Sequence, residues 1–152
     1  MAKRLRIRLF HLWFLIRRPM TLGVRALALN EQGEVLLVKH TYVPGWHLPG
    51  GGVEPGETAC DGLSRELHEE ANVELRTAPK LIGFLHNSQA SARDHVALYL
   101  CEGVVQVAQK QKDREIIAAQ FFDLNELPDD ISPATKRRID EWRSGGATGQ
   151  IW

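Results

Sequence analysis

The stretch that decides the fold runs from Gly50 to Val73 and reads GGGVEPGETACDGLSRELHEEANV. A glycine-rich turn precedes a segment of helical periodicity that carries Glu66, Glu69 and Glu70 within one turn. Like charges three and four residues apart on a helix repel each other and weaken the helix. A hard divalent cation binds carboxylate oxygens and would relieve that repulsion. The pattern therefore predicts a metal site.

Helical geometry places these acidic residues at the edge of the buried face. At about 100° per residue, four small or apolar side chains share one arc. They are Ala59, Leu63, Leu67 and Ala71. Glu70 falls inside this arc, and Glu66 and Glu69 flank it. Because a lone ionised carboxylate is costly to bury, a merely solvated acidic helix face is the less favoured alternative.

The segment Gly51–Val73 resembles the Nudix box, the signature of the Nudix hydrolases. Gly51 is followed after five residues by Glu57, and after seven more by RELHEE at Arg65–Glu70. One position departs from the motif, since Asn72 stands where a glycine is expected. That glycine suits a left-handed turn closing the helix, and Asn is the next most tolerant residue in that conformation.

This resemblance implies an α/β (α+β) fold in which a mixed β-sheet is sandwiched between α-helices. It also implies a pyrophosphohydrolase that uses Mg²⁺, with Mn²⁺ as a substitute. Water would attack phosphorus in a nucleoside diphosphate linked to another group, for example ADP-ribose, a nucleotide sugar or a nucleoside triphosphate. An RNA 5′-pyrophosphohydrolase and a non-catalytic nucleotide sensor are the alternatives. A formal net charge of zero argues mildly against RNA, and the intact box argues against a sensor.

The resemblance also assigns roles to the box residues. Glu69 and Glu70 are expected to be metal ligands. Glu66 is expected either to join them or to take the proton from the attacking water. The backbone carbonyl of Gly50 is a further expected ligand, because a glycine turn lets the main chain approach an ion closely.

Two further expectations concern residues around the ligands. Arg65 and Glu57 should pair and so orient the carboxylates, although a plain exposed charge is the alternative for Arg65. Many family members add a carboxylate from just before the last strand. Glu115 is the best-placed candidate, with Asp113 as a rival, and an ordinary loop charge is an equally open interpretation of Glu115.

Substrate contacts are less defined by the sequence. Lys39 and Arg93 are predicted to contact phosphates, and Trp46 to stack on a base, although a lone Lys or Arg is more often an ordinary surface charge. Weaker candidates are His40, Tyr42, Phe84 and Phe122, with core packing favoured for the two phenylalanines. The resemblance associates a proline or tyrosine about sixteen positions after the box with particular substrates. Residues 88–90 contain neither, so the sequence names a reaction but not a substrate.

Composition sets the remaining bounds. The chain has 152 residues, enough for one domain, with 19 basic and 19 acidic residues. The balanced charge indicates no clear nucleic-acid or membrane partner and leaves a homodimer open. The resemblance to the Nudix family implies a nucleotide-type small-molecule substrate. Cys60 and Cys101 form no framework, so both are predicted to be buried or half-buried thiols in a reducing, cytoplasmic setting.

Three parts are expected along the chain: an N-terminal basic and apolar segment at 1–20, the Nudix hydrolase domain at 21–146 and a C-terminal tail at 147–152. The apolar run Phe10–Ile16 is too short to span a bilayer. It is predicted to pack against the domain or a second subunit, and a helix lying on a membrane surface is the alternative.

Within the domain, hydrophobic patterning predicts strands separated by turns. A hairpin is expected around residues 30–33. A final helix is expected from Ser132 to Ser144, since Ser followed by Pro is typical of a helix start. The predicted strands are 21–30, 34–40, 73–76, 80–86, one long strand at 95–107, and 116–124.

Overall fold

The computed structural model describes residues 2–146 and 148–152, with side chains from residue 5 onward. These residues form three helices and eight strands, in the order α1, β1 to β3, α2, β4 to β8 and α3. The helices are α1 (Ala2–Arg17), α2 (Ala59–Ala71) and α3 (Pro133–Arg143). The strands are β1 (Thr21–Leu29), β2 (Val35–His40), β3 (Trp46–His47), β4 (Val73–Glu74), β5 (Lys80–His86), β6 (Asp94–Glu102), β7 (Val105–Gln106) and β8 (Ile116–Phe122).

Six strands form one mixed sheet in the order β3-β2-β1-β6-β5, with β8 on the outer edge of β2. Strands β1 and β6 run parallel over their whole length, and the other pairs of this sheet are antiparallel. The registered pairing between β1 and β2 is confined to Leu29 and Val35. The two strands therefore diverge beyond their hairpin, and this divergence leaves room for the glycine-rich turn.

Helices cover both faces of the sheet. Leu63 and Leu67 of α2 pack with Val24 and Val38 on one face. On the other face, Ile139 of α3 packs with a second set of leucines from β1, β2 and β6. Because side chains alternate along a strand, each strand contributes to both cores. The predicted mixed sheet between helices is confirmed.

The helix predicted from the box is present with both of its ends fixed. Thr58 is the N-cap and forms a capping box with Asp61. Leu67 is fully buried, as its place in the apolar arc requires. Asn72 has a φ of 53° and donates its backbone N–H to the His68 carbonyl oxygen. The prediction that Asn replaces glycine in a left-handed turn is therefore confirmed.

The prediction of one long strand at 95–107 is wrong. Strand β6 ends at Glu102, and Gly103 has a φ of 62°. The chain turns there, and Val105 pairs with Glu74 in a separate two-stranded sheet. The apolar run continues because both pieces are packed, so hydropathy alone could not locate the break.

Two burial predictions are also wrong. Cys60 is exposed on α2, while Cys101 is buried as expected. Phe84 is 59% exposed, and its ring stacks on His95 with a centroid distance of 5.3 Å. Phe122, by contrast, packs edge-on against Trp46 in the core beside α3.

The two ends of the chain differ in how much they contact the domain. Residues 148–152 lie along β5, where Trp152 donates its backbone N–H to the His86 carbonyl and Arg138 donates to the Ile151 carbonyl. The apolar side chains of α1 from Leu5 to Ile16 are mostly exposed, so this segment does not pack against the domain as one prediction had it, and its packing against a second subunit stays a prediction. Among the helices described, none has the length and apolar content needed to cross a membrane.

Candidate active site

The glycine-rich turn is held against β1. Val24 donates its backbone N–H to the Gly51 carbonyl at 2.8 Å, and Ala26 donates to the Pro49 carbonyl at 2.9 Å. Gly50 has a φ of 138°, and a side chain there would collide with the Val24 carbonyl. Only glycine satisfies both conditions. The turn is therefore fixed beside the residues of α2.

Glu70 lies at the centre of the site. It is 8% exposed, and its Oε2 accepts the backbone N–H of Gly50 at 2.8 Å. Burial, with smaller contributions from Glu66 and Glu115, raises the pKa of Glu70 to about 7, although the Gly50 hydrogen bond and Arg25 oppose the shift. The predicted position of Glu70 inside the apolar arc of the helix is confirmed.

Arg65 joins the turn to the helix. Its guanidinium forms a two-pronged ion pair with Glu57, at 2.8 and 3.1 Å. It also donates to Glu66 at 2.8 Å, to Glu69 at 3.4 Å and to the Gly52 carbonyl at 3.0 Å. The hydrogen bond from Arg65 lowers the pKa of Glu57 to about 2. The expected Arg65–Glu57 contact is present, and the interpretation of Arg65 as a plain exposed charge is wrong.

Glu66 is held between Arg65 and the turn. Its side chain is 14% exposed, and a Cβ on Gly51 would collide with its carboxylate. The absence of a side chain at Gly51 thus leaves the space that the Glu66 carboxylate occupies. Glu69 is less confined, with 58% of its side chain exposed.

One cavity of about 420 Å³ brings the predicted carboxylate ligands together, whereas Gly50 is not part of its lining. Its lining consists of Glu66, Glu69, Glu70, Asp113, Arg114, Glu115 and Ile116. The loop before β8 is fastened to α2 by Lys110, whose Nζ donates to the Glu69 carbonyl at 2.7 Å and pairs with Asp113 at 2.6 Å. Box and loop therefore form one acidic site.

The structure distinguishes the two rival carboxylates of this loop. Asp113 accepts the backbone N–H groups of Glu115 and Ile116, at 2.9 and 2.8 Å. Lys110 and these two hydrogen bonds lower the pKa of Asp113. Among the residues described, the Glu115 carboxylate has no hydrogen-bond partner, although it lines the cavity. The geometry therefore favours Glu115 as the carboxylate available to a ligand.

The donor set fits a hydrated hard cation. All the carboxylates of the cavity offer oxygen, which Mg²⁺ and Mn²⁺ prefer. Within residues 2–146 and 148–152, no three His, Cys, Asp or Glu side chains are spaced as a preformed metal cage. This spacing agrees with a site in which water molecules supply part of the coordination shell of the metal ion. The raised pKa of Glu70 comes mainly from burial, with smaller contributions from the Glu66 and Glu115 charges, and a cation bound beside Glu70 would lower it.

Arg25 is part of the site, although it is not among the residues predicted from the sequence. Its Nη1 donates to the Gly50 carbonyl at 2.6 Å and to the Leu48 carbonyl at 3.1 Å. An ion bound to the Gly50 carbonyl would compete with this guanidinium, so that role of Gly50 stays a prediction. The available signal was a single charge within the otherwise uncharged strand TLGVRALAL.

His40 is close to Glu70, rather than exposed to a substrate phosphate. Its Nε2 is 3.5 Å from Glu70 Oε1, and the residue is 5% exposed. Burial lowers the pKa of His40 to about 4, and Arg25 and His47 add to this effect. Its Nδ1 has no hydrogen-bond partner among the residues described. We interpret His40 as a neutral imidazole that donates from Nε2 towards Glu70.

The predicted substrate-binding residues lie away from the carboxylates. Lys39 pairs with Asp130 at 2.6 Å and lies over the Trp46 ring, on the sheet face covered by α3. The structure thus places Lys39 and Trp46 on the face opposite α2. Arg93 is exposed beside Asp94, which lines a separate cavity of about 320 Å³ with Gly51 and other residues.

Comparison with known proteins agrees with this geometry. A Bacillus subtilis (strain 168) protein provisionally named an 8-oxo-dGTP diphosphatase is 32% identical over 126 residues, covering 82% of this chain and 81% of that protein. The human 8-oxo-dGDP phosphatase NUDT18 is 33% identical over 116 residues, covering 74% of this chain but 35% of NUDT18.

Solved structures show the same fold. A NUDIX hydrolase from Nitrosomonas europaea has a TM-score of 0.68 at 22% identity, covering 84% of this chain and 91% of that chain. A MutT protein from Methanosarcina mazei has a TM-score of 0.62 at 26% identity, with 84% and 95% covered. The NUDIX domain profile matches residues 19–142. The chain therefore belongs to the Nudix family of hydrolases, enzymes that act on phosphoric anhydride bonds and in general use divalent metals.

Proposed function

We propose that this protein is a magnesium-dependent pyrophosphohydrolase of nucleoside triphosphates or other nucleoside diphosphate derivatives. The observation that supports this most directly is the single cavity that gathers the box carboxylates and Glu115. Each of these groups is acidic and oxygen-donating, and together they come from two elements far apart in sequence, α2 and the loop before β8. Such a cluster is costly to the folded state unless a cation offsets its charge.

We assign Glu69, Glu70 and Glu115 to holding the ion. Bound Mg²⁺ would neutralise substrate charge and lower the pKa of a bound water. Arg65 holds the Glu66 and Glu69 carboxylates in position relative to the glycine-rich turn, through the hydrogen bonds described above. Glu66 is either a further ligand or the base for the attacking water, as its enclosed carboxylate allows.

Oxidised purine nucleotides are the first substrates that we propose. The support is the Bacillus subtilis relative, which this chain matches over most of both sequences and whose name specifies 8-oxo-dGTP. NUDT18, named for 8-oxo-dGDP, points to the same kind of base. Arg93, exposed at the rim of the domain beside the second cavity, stays a proposed contact for the phosphate chain or the base.

The test is hydrolysis of a substrate panel by the full chain in the presence of Mg²⁺ or Mn²⁺. The panel contains 8-oxo-dGTP, dGTP, 8-oxo-dGDP, ADP-ribose, a nucleotide sugar and 5′-triphosphorylated RNA. We expect 8-oxo-dGTP to give the highest kcat/KM, with nucleoside monophosphate and pyrophosphate as products. Chromatography of the nucleotides, together with a pyrophosphate assay, identifies which bond is broken.

A matched pair of variants makes the result specific to the site. Glu69→Gln removes a proposed ligand, whereas Glu74→Gln changes an exposed carboxylate paired with Arg76 outside the cavity. We expect only Glu69→Gln to lose turnover, by roughly a thousandfold. Folded protein that hydrolyses no member of the panel would contradict the proposed reaction. Preference for ADP-ribose or RNA would contradict only the proposed substrate.

A further inference from the structure

Helix α1 presents apolar side chains that the domain does not cover. Eight large apolar residues between Leu5 and Ile16 are between 49% and 71% exposed. Trp13 alone is 52% exposed, and its ring contacts only aromatic and basic neighbours of the same helix among the ring contacts described. Exposed apolar area of this extent on a small protein indicates a contact surface.

The apolar residues surround the second half of this helix. At about 100° per residue, the side chains of residues 9–16 point in all directions, and His11 is the one polar residue among them. A protein partner covers one side of a helix, whereas lipid can contact several sides at once. A helix that is apolar all round is buried in a large core or in a membrane.

Basic residues stand at both ends of this apolar stretch. Residues 1–18 contain six Lys or Arg and no acidic residue, and the first acidic residue of the chain is Glu31. Arg17 lies over the Trp13 ring at 6.0 Å, and Arg18 lies over Phe14 at 5.3 Å. Since the formal net charge of the whole chain is zero, acidic residues are in excess over the rest of the domain.

We propose that α1 docks the domain on an anionic lipid surface, with the helix lying in the headgroup layer. From Arg8 to Arg17 the helix measures roughly 14 Å, about half the hydrocarbon thickness of a bilayer. Both basic ends must therefore stay on the same side of the membrane. Long arginine stems can extend to the phosphate groups while the rings and aliphatic chains enter the acyl boundary.

A second copy of the chain is the competing occupant. It would cover only part of the apolar circumference, and pairing of two α1 helices would bring two arginine-rich segments together. The acidic excess of the domain body would itself be repelled by anionic lipid, so any binding to such lipid must come from α1. These properties make charge reversal on the helix a sharp test.

The test is co-sedimentation of the full chain with vesicles of phosphatidylcholine, with or without phosphatidylserine, at low and high salt. We expect binding to the phosphatidylserine vesicles to be at least roughly tenfold stronger, and to weaken at high salt. Arg6→Glu with Arg8→Glu should reduce that binding by at least roughly tenfold. Leu12→Glu with Ile16→Glu should abolish it, because it places charge in the apolar stretch.

Arg76→Glu with Lys80→Glu is the matched control, since it reverses two exposed charges outside α1. We expect it to bind vesicles as the wild type does, and circular dichroism should show all variants folded. Equal binding to both kinds of vesicle, or an Arg6→Glu with Arg8→Glu variant that binds phosphatidylserine vesicles as tightly as the wild type, would overturn the proposal. So would a wild-type chain that ignores vesicles but forms a dimer, measured by light scattering, which Leu12→Glu with Ile16→Glu dissociates.

Discussion

His40 Nε2 lies 3.5 Å from Glu70 Oε1, and both side chains are almost fully buried between β2 and α2. Burial moves their pKa values in opposite directions, to about 4 for His40 and about 7 for Glu70. Near pH 6 the metal-free pair is therefore uncharged, and at higher pH Glu70 alone becomes charged. A cation placed beside Glu70 would favour its charged form.

The first prediction concerns the pH dependence of stability in chelator. Glu70 binds more protons in the folded than in the unfolded state between pH 4.5 and about 7, so its contribution to stability falls as pH rises through that window. His40 binds fewer protons when folded between about pH 4 and 6.5, so its contribution rises. The two effects oppose each other in the wild type. In Glu70→Gln only the His40 effect remains.

Urea unfolding at a series of pH values tests this directly. We expect the free energy of unfolding of Glu70→Gln to increase between pH 4 and 6.5, by up to about 3 kcal/mol. The wild type should change less over the same range. A Glu70→Gln profile that follows the wild-type profile would show that the two groups do not titrate as described.

The second prediction concerns the guanidinium group of Arg65, which forms two hydrogen bonds to Glu57. Arg65→Lys cannot form the two-pronged pair with Glu57 or reach Glu66 at the same time. We expect turnover to fall by roughly 10- to 100-fold, because the carboxylates lose their orientation. Arg76→Lys, in an exposed pair with Glu74, is the control and should retain wild-type turnover. Retained turnover in Arg65→Lys would contradict the positioning role.

The third prediction separates two neighbouring glycines. Gly51→Ala places a methyl group against the Glu66 carboxylate, a flexible group that can move. We expect turnover to fall while stability changes by about 1 kcal/mol or less. Gly50→Ala places a methyl group against the fixed Val24 carbonyl at a positive φ, and should cost about 3 kcal/mol or more. Thermal melting and initial rates on both variants measure the difference. Equal losses of stability in Gly50→Ala and Gly51→Ala would contradict these different roles for the two glycines.

The fourth prediction distinguishes the two loop carboxylates. Glu115→Gln should weaken Mg²⁺ binding, measured by calorimetry, by roughly tenfold or more with little change in melting temperature. Asp113→Asn should instead lower the melting temperature, because Asp113 holds Lys110 and two backbone N–H groups. If Asp113→Asn weakens Mg²⁺ binding more than Glu115→Gln does, then Asp113 is the ligand.

The box helix could be predicted from sequence because its geometry is local. Helical periodicity alone places Glu70 on the buried arc, and the resemblance to the Nudix box implies the ion pair between Glu57 and Arg65. Asn72 in a left-handed turn follows from its intrinsic conformational tolerance. Each of these features depends on residues that are close in sequence, within about two helical turns or within the adjoining loop.

The remaining features depend on contacts between distant segments. The side-chain parity of β2 directs Lys39 towards α3 and His40 towards α2, and an irregularity in pairing with β8 lies between these two residues. Arg25 contacts the Gly50 carbonyl only because β1 and β2 diverge. A single sequence does not specify this divergence.

The central claim is that the cavity lined by Glu69, Glu70 and Glu115 holds a divalent cation on which hydrolysis depends. The measurement that tests it most directly is turnover of 8-oxo-dGTP, or of the best panel substrate, during titration of chelator-treated protein with Mg²⁺. We expect no turnover before Mg²⁺ is added and full recovery afterwards. Glu69→Gln should stay roughly a thousandfold slower at every Mg²⁺ concentration. Wild-type rates in excess chelator, or a Glu69→Gln variant as fast as the wild type, would contradict the claim.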